Sequence, residues 1–123
     1  MSRVLVIDDN PFYRRRLQEL FKGRGHDTET AENLDGAVEV ASTHKPEVLV
    51  VDCMLKDAAD GFDVSDRLQI DHPDLKTIVI TGYPGPEVDR RREQARVYAF
   101  FEKPFDPEEL ATTVDRAAAE PAN

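Results

Sequence analysis

Short apolar runs alternate along this chain with segments of helical periodicity, and this alternation limits its fold more than any other feature. The runs read VLVI, VLVV, TIVI and VYAFFE, and each is directly followed by a polar residue. Apolar runs of this length are typical of strands that are buried on both faces of a parallel sheet. Because crossovers between parallel strands are right-handed, the intervening helices must cover both faces. The sequence therefore predicts a doubly wound α/β fold.

One further strand and five helices complete the predicted order. Residues 26–31 alternate enough to be predicted as a half-exposed edge strand. Helices are predicted after Asn10, from about Leu34 to before Pro46, from Asp60-Gly61 to Pro73, from about Pro86, and after Asp106. The chain is thus expected to form five parallel strands and five helices, in a single domain over residues 1–119 with a short tail over residues 120–123.

The helical segments differ in the strength of their sequence signals. The first has an apolar stripe at i, i+4, i+7 and i+8, formed by Tyr13, Leu17, Leu20 and Phe21. The fourth has only Val88 and Ala95 as apolar contacts, and its arginines are predicted to point outward: Arg90, Arg91, Arg92 and Arg96. The fifth begins with a capping signal, in which Asp106 is the N-cap, Pro107 follows, and Glu109 takes the third helical position.

Composition narrows the classes of partner. The net charge is −9 and the isoelectric point is about 4.7, which argues against general affinity for nucleic acid or for an anionic membrane surface. The single cysteine excludes a disulfide framework, and no apolar run approaches the roughly 20 residues needed to span a bilayer. The N-terminal residues do not resemble a signal peptide. We expect a cytoplasmic protein whose partners are proteins, metal ions or small molecules.

The residues that follow the four apolar runs are suited to phosphate chemistry. They are Asp8-Asp9, Asp52, Thr81 and Lys103-Pro104. The carboxyl ends of parallel strands lie along one edge of the sheet, and ligands bind in the crevice there. Three carboxylates, a hydroxyl and an ammonium are therefore expected in one pocket. The first strand-to-helix turn reads DDNPF, and its bulk and negative charge exclude a dinucleotide site.

This set of groups predicts phosphoryl transfer to an aspartate. Adjacent carboxylates favour a hard divalent cation such as Mg²⁺. Without a cation, each pair of carboxylates about 4 Å apart repels by about 4 kcal/mol at an effective dielectric constant near 20. A carboxylate can also attack phosphorus as a nucleophile. Lys103 and the cation could then hold two phosphoryl oxygens while the Thr81 hydroxyl donates to the third.

The motifs together resemble the receiver domain of two-component response regulators, from about Arg3 to about Ala118. They are VLVIDDN, VLVVD, the DG at Asp60-Gly61, TIVITG and FEKPF, in the family's order and at close to its spacing. The resemblance implies a flavodoxin-like fold with strand order 2-1-3-4-5. It also implies a phosphorylation-dependent switch that takes a phosphoryl group from a histidine kinase or histidine phosphotransfer protein and acts on a downstream protein. The chain is interpreted as a stand-alone, chemotaxis-regulator-like receiver without an output domain, which catalyses only its own phosphorylation and dephosphorylation.

The resemblance assigns roles around the acceptor. Asp52 matches the phosphoacceptor. Asp9 matches the more direct Mg²⁺ ligand, and Asp8 acts largely through water. The backbone carbonyl of Met54, two residues after the acceptor, matches the family's third protein ligand.

The resemblance also implies roles for residues at and near the last two strand ends, and the conformation of one peptide bond. Thr81 and Lys103 match the hydroxyl and the lysine that contact the phosphoryl group. Phe100 matches an aromatic switch that turns inward when Thr81 moves toward the phosphate. The Lys103–Pro104 peptide bond is expected to be cis.

Two positions depart from the family's pattern or vary within it. The loop after the acceptor, CMLKDAADG, has Lys56 where proline is common and is one residue longer than usual, so a lysine is expected near the rim of the pocket. Tyr83 is bulky at a variable position, and it lies with Met54 where side chains can screen the attacking water. The lifetime of the phosphoryl group is therefore left open.

Alternative interpretations remain beside the main one. The chain could be a receiver-like module that binds partners without phosphorylation, or an aspartyl-nucleophile phosphatase of the haloacid-dehalogenase type, although that family's DxD motif is absent. Phe100 could be a core residue. The arginine groups 14–16 and 90–92 could be solvated helix faces, or surfaces for a kinase and for the output. The three histidines are scattered and lie beside no cysteine, which argues against a zinc site.

Overall fold

The predicted order of strands and helices is present in a computed structural model, which describes residues 2–55 and 59–120. The strands are β1 (Arg3–Ile7), β2 (Asp27–Ala31), β3 (Val48–Asp52), β4 (Lys76–Thr81) and β5 (Ala99–Glu102). The helices are α1 (Pro11–Gly23), α2 (Leu34–His44), α3 (Gly61–Asp71), α4 (Pro86–Gln94) and α5 (Pro107–Ala119). All neighbouring strands are parallel, in the order β2-β1-β3-β4-β5. The predicted fold class and strand order are confirmed.

The sheet separates two apolar cores, because successive side chains of a strand point to opposite faces. On β1, Val4 and Val6 pack on the face covered by α1 and α5, whereas Leu5 and Ile7 pack on the face covered by α2 and α3. All four side chains are fully buried. The continuous apolar runs of β1, β3 and β4 therefore reflect burial on both faces of the sheet, whereas β5 is only partly buried.

Helix α1 begins and packs as its sequence predicts. The Asn10 side chain accepts hydrogen bonds from the backbone N–H groups of Phe12 and Tyr13, which the first turn of a helix leaves without partners. Proline at the first helical position needs no such partner. Leu17 and Phe21 are buried against the sheet. The cap thus fixes where α1 starts, directly after the acidic pair.

The capping of the later helices differs in part from the prediction. Asp106 caps α5 as expected, and its side chain accepts from the backbone N–H of Glu108. A capping box with reciprocal hydrogen bonds occurs instead at α3, between Asp60 and Asp63. The sequence interpretation used Asp60 as a helix boundary and as part of the DG motif, and it did not predict this capping box.

The outward orientation predicted for the α4 arginines is wrong for Arg91. Its guanidinium forms ion pairs with Asp60 (3.4 Å) and Asp63 (3.0 Å) and lies 5.3 Å from the ring centroid of Phe62. A helix with one buried apolar residue, Val88, has little other means of attachment. Arg91 therefore links α4 to the start of α3. None of the helices in the described ranges combines the length and apolarity needed to cross a membrane.

Candidate functional site

The strand order explains why the predicted residues meet. The chain passes from β1 to the edge strand β2 and then returns to β3 on the other side of β1. The two connections diverge at this point, so a crevice opens beyond the carboxyl ends of β1 and β3. Asp8 directly follows β1 and Asp52 ends β3, with Thr81 at the end of the neighbouring strand β4. The structure brings these residues together with Lys103.

Asp52 lies at the centre of the crevice and is almost fully buried. Its Oδ2 accepts a hydrogen bond from Nζ of Lys103 at 2.8 Å, and its Oδ1 accepts one from the backbone N–H of Met54 at 2.8 Å. Burial alone would lower the pKa of Lys103, but the hydrogen bond and the charges of Asp52 and Asp8 raise it above its ordinary value. Lys103 is therefore positively charged at neutral pH and is held against the carboxylate.

Asp8 is a buried carboxyl group whose ionisation is unfavourable in the crevice. Its side chain is 4% exposed, and burial raises its pKa from 3.8 to about 6. The negative charges of Asp52 and Asp9 add to this effect, while the N–H of Asn10 (2.9 Å) and the ammonium of Lys103 oppose it. A buried carboxylate in this environment is costly to ionise. A cation in the crevice would relieve that cost.

The donor set fits Mg²⁺ used together with a phosphoryl group. Within residues 2–55 and 59–120, no three His, Cys, Asp or Glu side chains cluster closely enough to hold a metal ion by themselves. Mg²⁺ usually takes one or two carboxylates and completes its coordination with water and substrate phosphate. Asp9 is half-buried and close enough to raise the pKa of Asp8. The acidic pair and Asp52 thus match the partial protein coordination that Mg²⁺ prefers.

Thr81 is buried at the end of β4, beside strand β3, which ends at Asp52. Its hydroxyl accepts a hydrogen bond from the backbone N–H of Tyr83 (3.1 Å) and contacts the thiol of Cys53. Burial raises the pKa of Cys53 to about 11, and Asp60 and Asp52 add to the shift. Cys53 therefore packs as a neutral thiol. The side chains of Met54 and Tyr83 are exposed at 52% and 73% on the rim.

Phe100 and Phe101 lie on opposite faces of β5, as strand alternation predicts. Phe100 is half-buried against the core that includes Val88 of α4. The guanidinium of Arg92 lies 4.5 Å from the centroid of its ring. Phe101 packs on the other core and makes an edge contact with Phe105. The aromatic at position 100 is therefore in contact with α4 rather than enclosed in the core.

Lys103 enters the site from the end of β5. Its backbone N–H donates to the carbonyl oxygen of Thr81 at 2.8 Å, and the following peptide bond, to Pro104, is cis. Its Nζ lies 4.3 Å from the ring centroid of Tyr13 on α1. The ammonium is thus placed between Asp52 and an aromatic ring of the first helix.

Two residues that lie against the site were not identified from the sequence as doing so. A Cβ at Gly61 would lie 2.5 Å from the backbone oxygen of Asp52, so only glycine allows α3 to begin this close to the end of β3. Tyr13 was predicted only as part of an apolar stripe. The DG motif signals Gly61, since glycine often marks a close approach of backbones. No local signal links Tyr13 to Lys103.

Other residues that the sequence analysis considered have different outcomes in the structure. Lys56 lies outside the described residues, so the expectation of a lysine at the rim stays a prediction. His26 contacts Asp115 at 2.7 Å, and His44 contacts the carbonyl oxygen of Val4 at 3.0 Å. These histidines serve the packing of helices and lie apart from the crevice. Arg14 donates to the backbone oxygen of Asp8 and is therefore not a simply solvated side chain.

Comparison with known proteins gives consistent matches across the chain. A family model described as the response regulator receiver domain matches residues 4–115. Protein PilH of Pseudomonas aeruginosa is 29% identical in an alignment that covers 97% of this chain and 99% of PilH. Sporulation initiation phosphotransferase F of Bacillus subtilis is 24% identical over 115 residues, which cover 94% of this chain and 92% of that protein.

Other relatives are considerably longer than the matched region. The nitrogen assimilation regulatory protein NtrX of Azorhizobium caulinodans is 26% identical over 93% of this chain, but the chain spans only 25% of its length. For the photosynthetic apparatus regulatory protein RegA of Rhodovulum sulfidophilum, the span is 60%. The matched region is therefore one part of these larger proteins.

Solved structures share the whole architecture. The receiver domain of NtrX from Brucella abortus has a TM-score of 0.86 and 28% identity, and the match covers 96% of this chain and 99% of that one. A CheY-like receiver domain protein from Methanospirillum hungatei also has a TM-score of 0.86, at 20% identity, with 94% of this chain and 92% of that chain covered. At that identity the second match supports the fold alone.

Proposed function

Because the chain belongs to the family of response regulator receiver domains, whose model matches residues 4–115, we propose that it is a switch controlled by phosphorylation of Asp52. The observation that carries the proposal is the contact of Lys103 Nζ with Asp52 Oδ2, at 2.8 Å, at a strand end beside the buried Asp8. A carboxylate so placed has an ammonium ready to neutralise a transferred phosphoryl group.

The proposed reaction moves a phosphoryl group from a phosphohistidine to Asp52. A carboxylate oxygen of Asp52 attacks phosphorus in line, the P–N bond breaks, and the electron pair of that bond remains on the imidazole nitrogen. Lys103 transfers its hydrogen bond from the carboxylate to a phosphoryl oxygen, and the Thr81 hydroxyl donates to another. Bound Mg²⁺, held by Asp9, Asp52, the Met54 carbonyl and, through water, Asp8, would supply neutralisation of the developing negative charge.

The modification is proposed to end by hydrolysis on the same chain. Water attacks phosphorus, the bond between phosphorus and the Asp52 oxygen breaks, and inorganic phosphate leaves. The exposed side chains of Met54 and Tyr83 stand at the rim where they can limit access of that water. The chain therefore acts on itself and is not expected to turn over other phosphate esters.

Output is proposed to follow from rearrangement around Thr81 and Phe100. When the Thr81 hydroxyl turns to the phosphoryl group, space opens on the side of β5, and Phe100 can move away from Arg92 into it. The surface of α4, β5 and α5 would then differ between the two states, and a downstream protein would bind one of them. Moving such an equilibrium from 1:99 to 99:1 requires about 5.5 kcal/mol of differential stabilisation.

The phosphodonor protein is proposed to dock on the first helix. Phe12 is 58% exposed at the start of α1, and Arg16 lies 5.6 Å from its ring centroid. An apolar groove beside them is lined by Leu20 and Phe105. An exposed aromatic with neighbouring arginines fits the helix of a histidine kinase or histidine phosphotransfer protein. This encounter would take place in the cytoplasm.

A direct test is incubation with phosphoramidate and Mg²⁺, followed by intact mass measurement. Phosphoramidate carries the P–N bond of a phosphohistidine in a small molecule. We expect one phosphoryl adduct on the wild type and none on Asp52→Asn or in the presence of EDTA. Asp74→Asn, at an exposed position before β4, is the matched control and should react as the wild type does. Absence of an adduct on the wild type would favour an interaction module that does not use phosphorylation.

A further inference from the structure

The turn that contains Asp8 and Asn10 fixes the position of Tyr13 in α1. The Asn10 side chain caps the helix by accepting from the N–H groups of Phe12 and Tyr13, and the N–H of Asn10 donates to Asp8. The turn that presents Asp8 to the crevice thus also fixes the start of α1. The ring of Tyr13 is half-buried against the core formed by α1, α5 and the sheet.

The ammonium of Lys103, and not only its aliphatic stem, approaches this ring. Its Nζ lies 4.3 Å from the ring centroid, well within the roughly 6 Å over which a cation is attracted to an aromatic face. The same nitrogen lies 2.8 Å from Oδ2 of Asp52. The Lys103 stem passes Gly82, where an added Cβ would meet Cδ at 3.5 Å. Three contacts therefore define the path of one long side chain.

We propose that Tyr13 is a positioning residue for Lys103. The face of the Tyr13 ring holds the ammonium of Lys103 beside Asp52 before and after the phosphoryl group arrives. This inference rests on the proposed function for its effect on phosphorylation, and on geometry for the contact itself. Lysine has a flexible side chain, and an ammonium held only by Asp52 would have no second contact while it exchanges that carboxylate for a phosphoryl oxygen. The ring keeps its attraction for the ammonium in both states, because the ring does not take part in the transfer.

The rate of phosphorylation separates this role from simple packing. Tyr13→Phe keeps the aromatic face and should react within about twofold of the wild type. Tyr13→Leu keeps apolar bulk but removes the face, and its limiting rate with phosphoramidate should fall by about fivefold. The Mg²⁺ concentration for half-maximal rate should stay unchanged, since the ring lies against Lys103 rather than against the acidic pair.

Tyr98→Leu is the matched control for lost packing. Tyr98 is a half-buried tyrosine of the same core, and its hydroxyl donates to Glu120 at the opposite end of the sheet. Both leucine variants should show a similar loss in urea midpoint, but only Tyr13→Leu should react slowly. Equal rates for Tyr13→Leu and the wild type, or equal slowing in Tyr98→Leu, would overturn the proposal.

A second readout needs no phosphorylation. Protons attached to Cε of Lys103 should resonate upfield of an unstructured lysine in the wild type and in Tyr13→Phe, because they lie over a ring, and should return toward that value in Tyr13→Leu. Unshifted resonances in the wild type would refute the contact. If the wild type formed no phosphoryl adduct, the proposed function would fail, while the resonance shift would still decide whether Tyr13 holds Lys103.

Discussion

Helices α1 and α4 flank the proposed phosphorylation site from opposite sides and are attached to the fold in different ways. Both begin with proline, but α1 is capped by Asn10 and buries Leu17 and Phe21. Helix α4 has no side-chain cap, buries only Val88, and is linked to α3 through Arg91. Apolar burial is insensitive to salt, whereas partly exposed ion pairs are screened by it. The crevice therefore lies between a firmly packed helix and one held mainly by charge.

Because α1 buries more apolar surface than α4, we expect the two helices to contribute unequally to the stability of the fold. Phe21→Ala removes a fully buried ring of α1 and should lower the free energy of unfolding by about 3–5 kcal/mol. Val88→Ala, at the single buried position of α4, should cost roughly 1–2 kcal/mol. Urea unfolding of both variants measures the difference. Similar losses would show that α4 is packed as firmly as α1.

A substitution at Gly61 would measure how tightly the start of α3 packs against the backbone of Asp52. Gly61→Ala would place a methyl group 2.5 Å from the backbone oxygen of Asp52, and we expect a loss of about 1–3 kcal/mol with slower phosphorylation. Gly23→Ala, where nothing lies within 4 Å of the new methyl group, is the control and should be neutral or stabilising. Urea midpoints and phosphoramidate rates check both. Unchanged stability in Gly61→Ala would mean that α3 can shift without cost.

The unfavourable ionisation of Asp8, which lies next to the start of α1, should appear in the pH dependence of stability without metal. The pKa of Asp8 is about 6 in the folded chain, above its ordinary 3.8, so the folded state binds this proton more tightly than the unfolded state. The penalty is therefore fully present above pH 6 and is relieved as the pH falls toward 4. Near pH 7, Asp8→Asn should be more stable than the wild type by on the order of 1–2 kcal/mol.

Urea unfolding of Asp8→Asn and of the wild type in EDTA measures this difference without bound metal. Its change with pH separates the contribution of Asp8 from that of the other carboxylates. The advantage of Asp8→Asn should shrink between pH 7 and pH 5, because the wild type becomes protonated at this position. A difference that stays constant across this range would contradict the assignment of the raised pKa to Asp8.

The smallest expected effect is local and concerns α4. Arg91→Ala removes two partly exposed ion pairs and a ring contact, which together should contribute about 1 kcal/mol or less to global stability. Amide hydrogen exchange in α4 should nevertheless accelerate, and high salt should have a similar effect on the wild type. Arg90→Ala, at an exposed position of the same helix, should leave exchange unchanged. Slow exchange in Arg91→Ala would show that other contacts hold α4.

The fold was predictable because its three central strands, β1, β3 and β4, are buried on both faces. An uninterrupted apolar run such as residues 48–51 leaves little choice other than a central parallel strand. The meeting of Asp8, Asp52, Thr81 and Lys103 followed, because parallel strands end at one edge of the sheet. Prediction at this level needs only the order of the elements.

Contacts between helices were not predictable from the same patterns. Periodicity identified a polar face on α4, but it could not reveal that Asp60 and Asp63 lie opposite Arg91. The ring of Tyr13 and the ammonium of Lys103 are separated by most of the chain, and each has a sufficient local explanation as a core or site residue. Such pairings depend on how whole elements are placed against each other, which a single sequence does not encode locally.

The alternation of β1 between the two cores limits how this molecule can respond. Each central strand sends side chains to both helix layers, so neither layer can be lost without opening the core of the other, and unfolding is expected to be a single cooperative transition. Signalling by partial melting of the sheet is therefore not expected. A change that is proposed to start at Asp52 would have to pass through parts that can move while both cores stay closed, and α4, with Val88 as its buried apolar residue, is such a part.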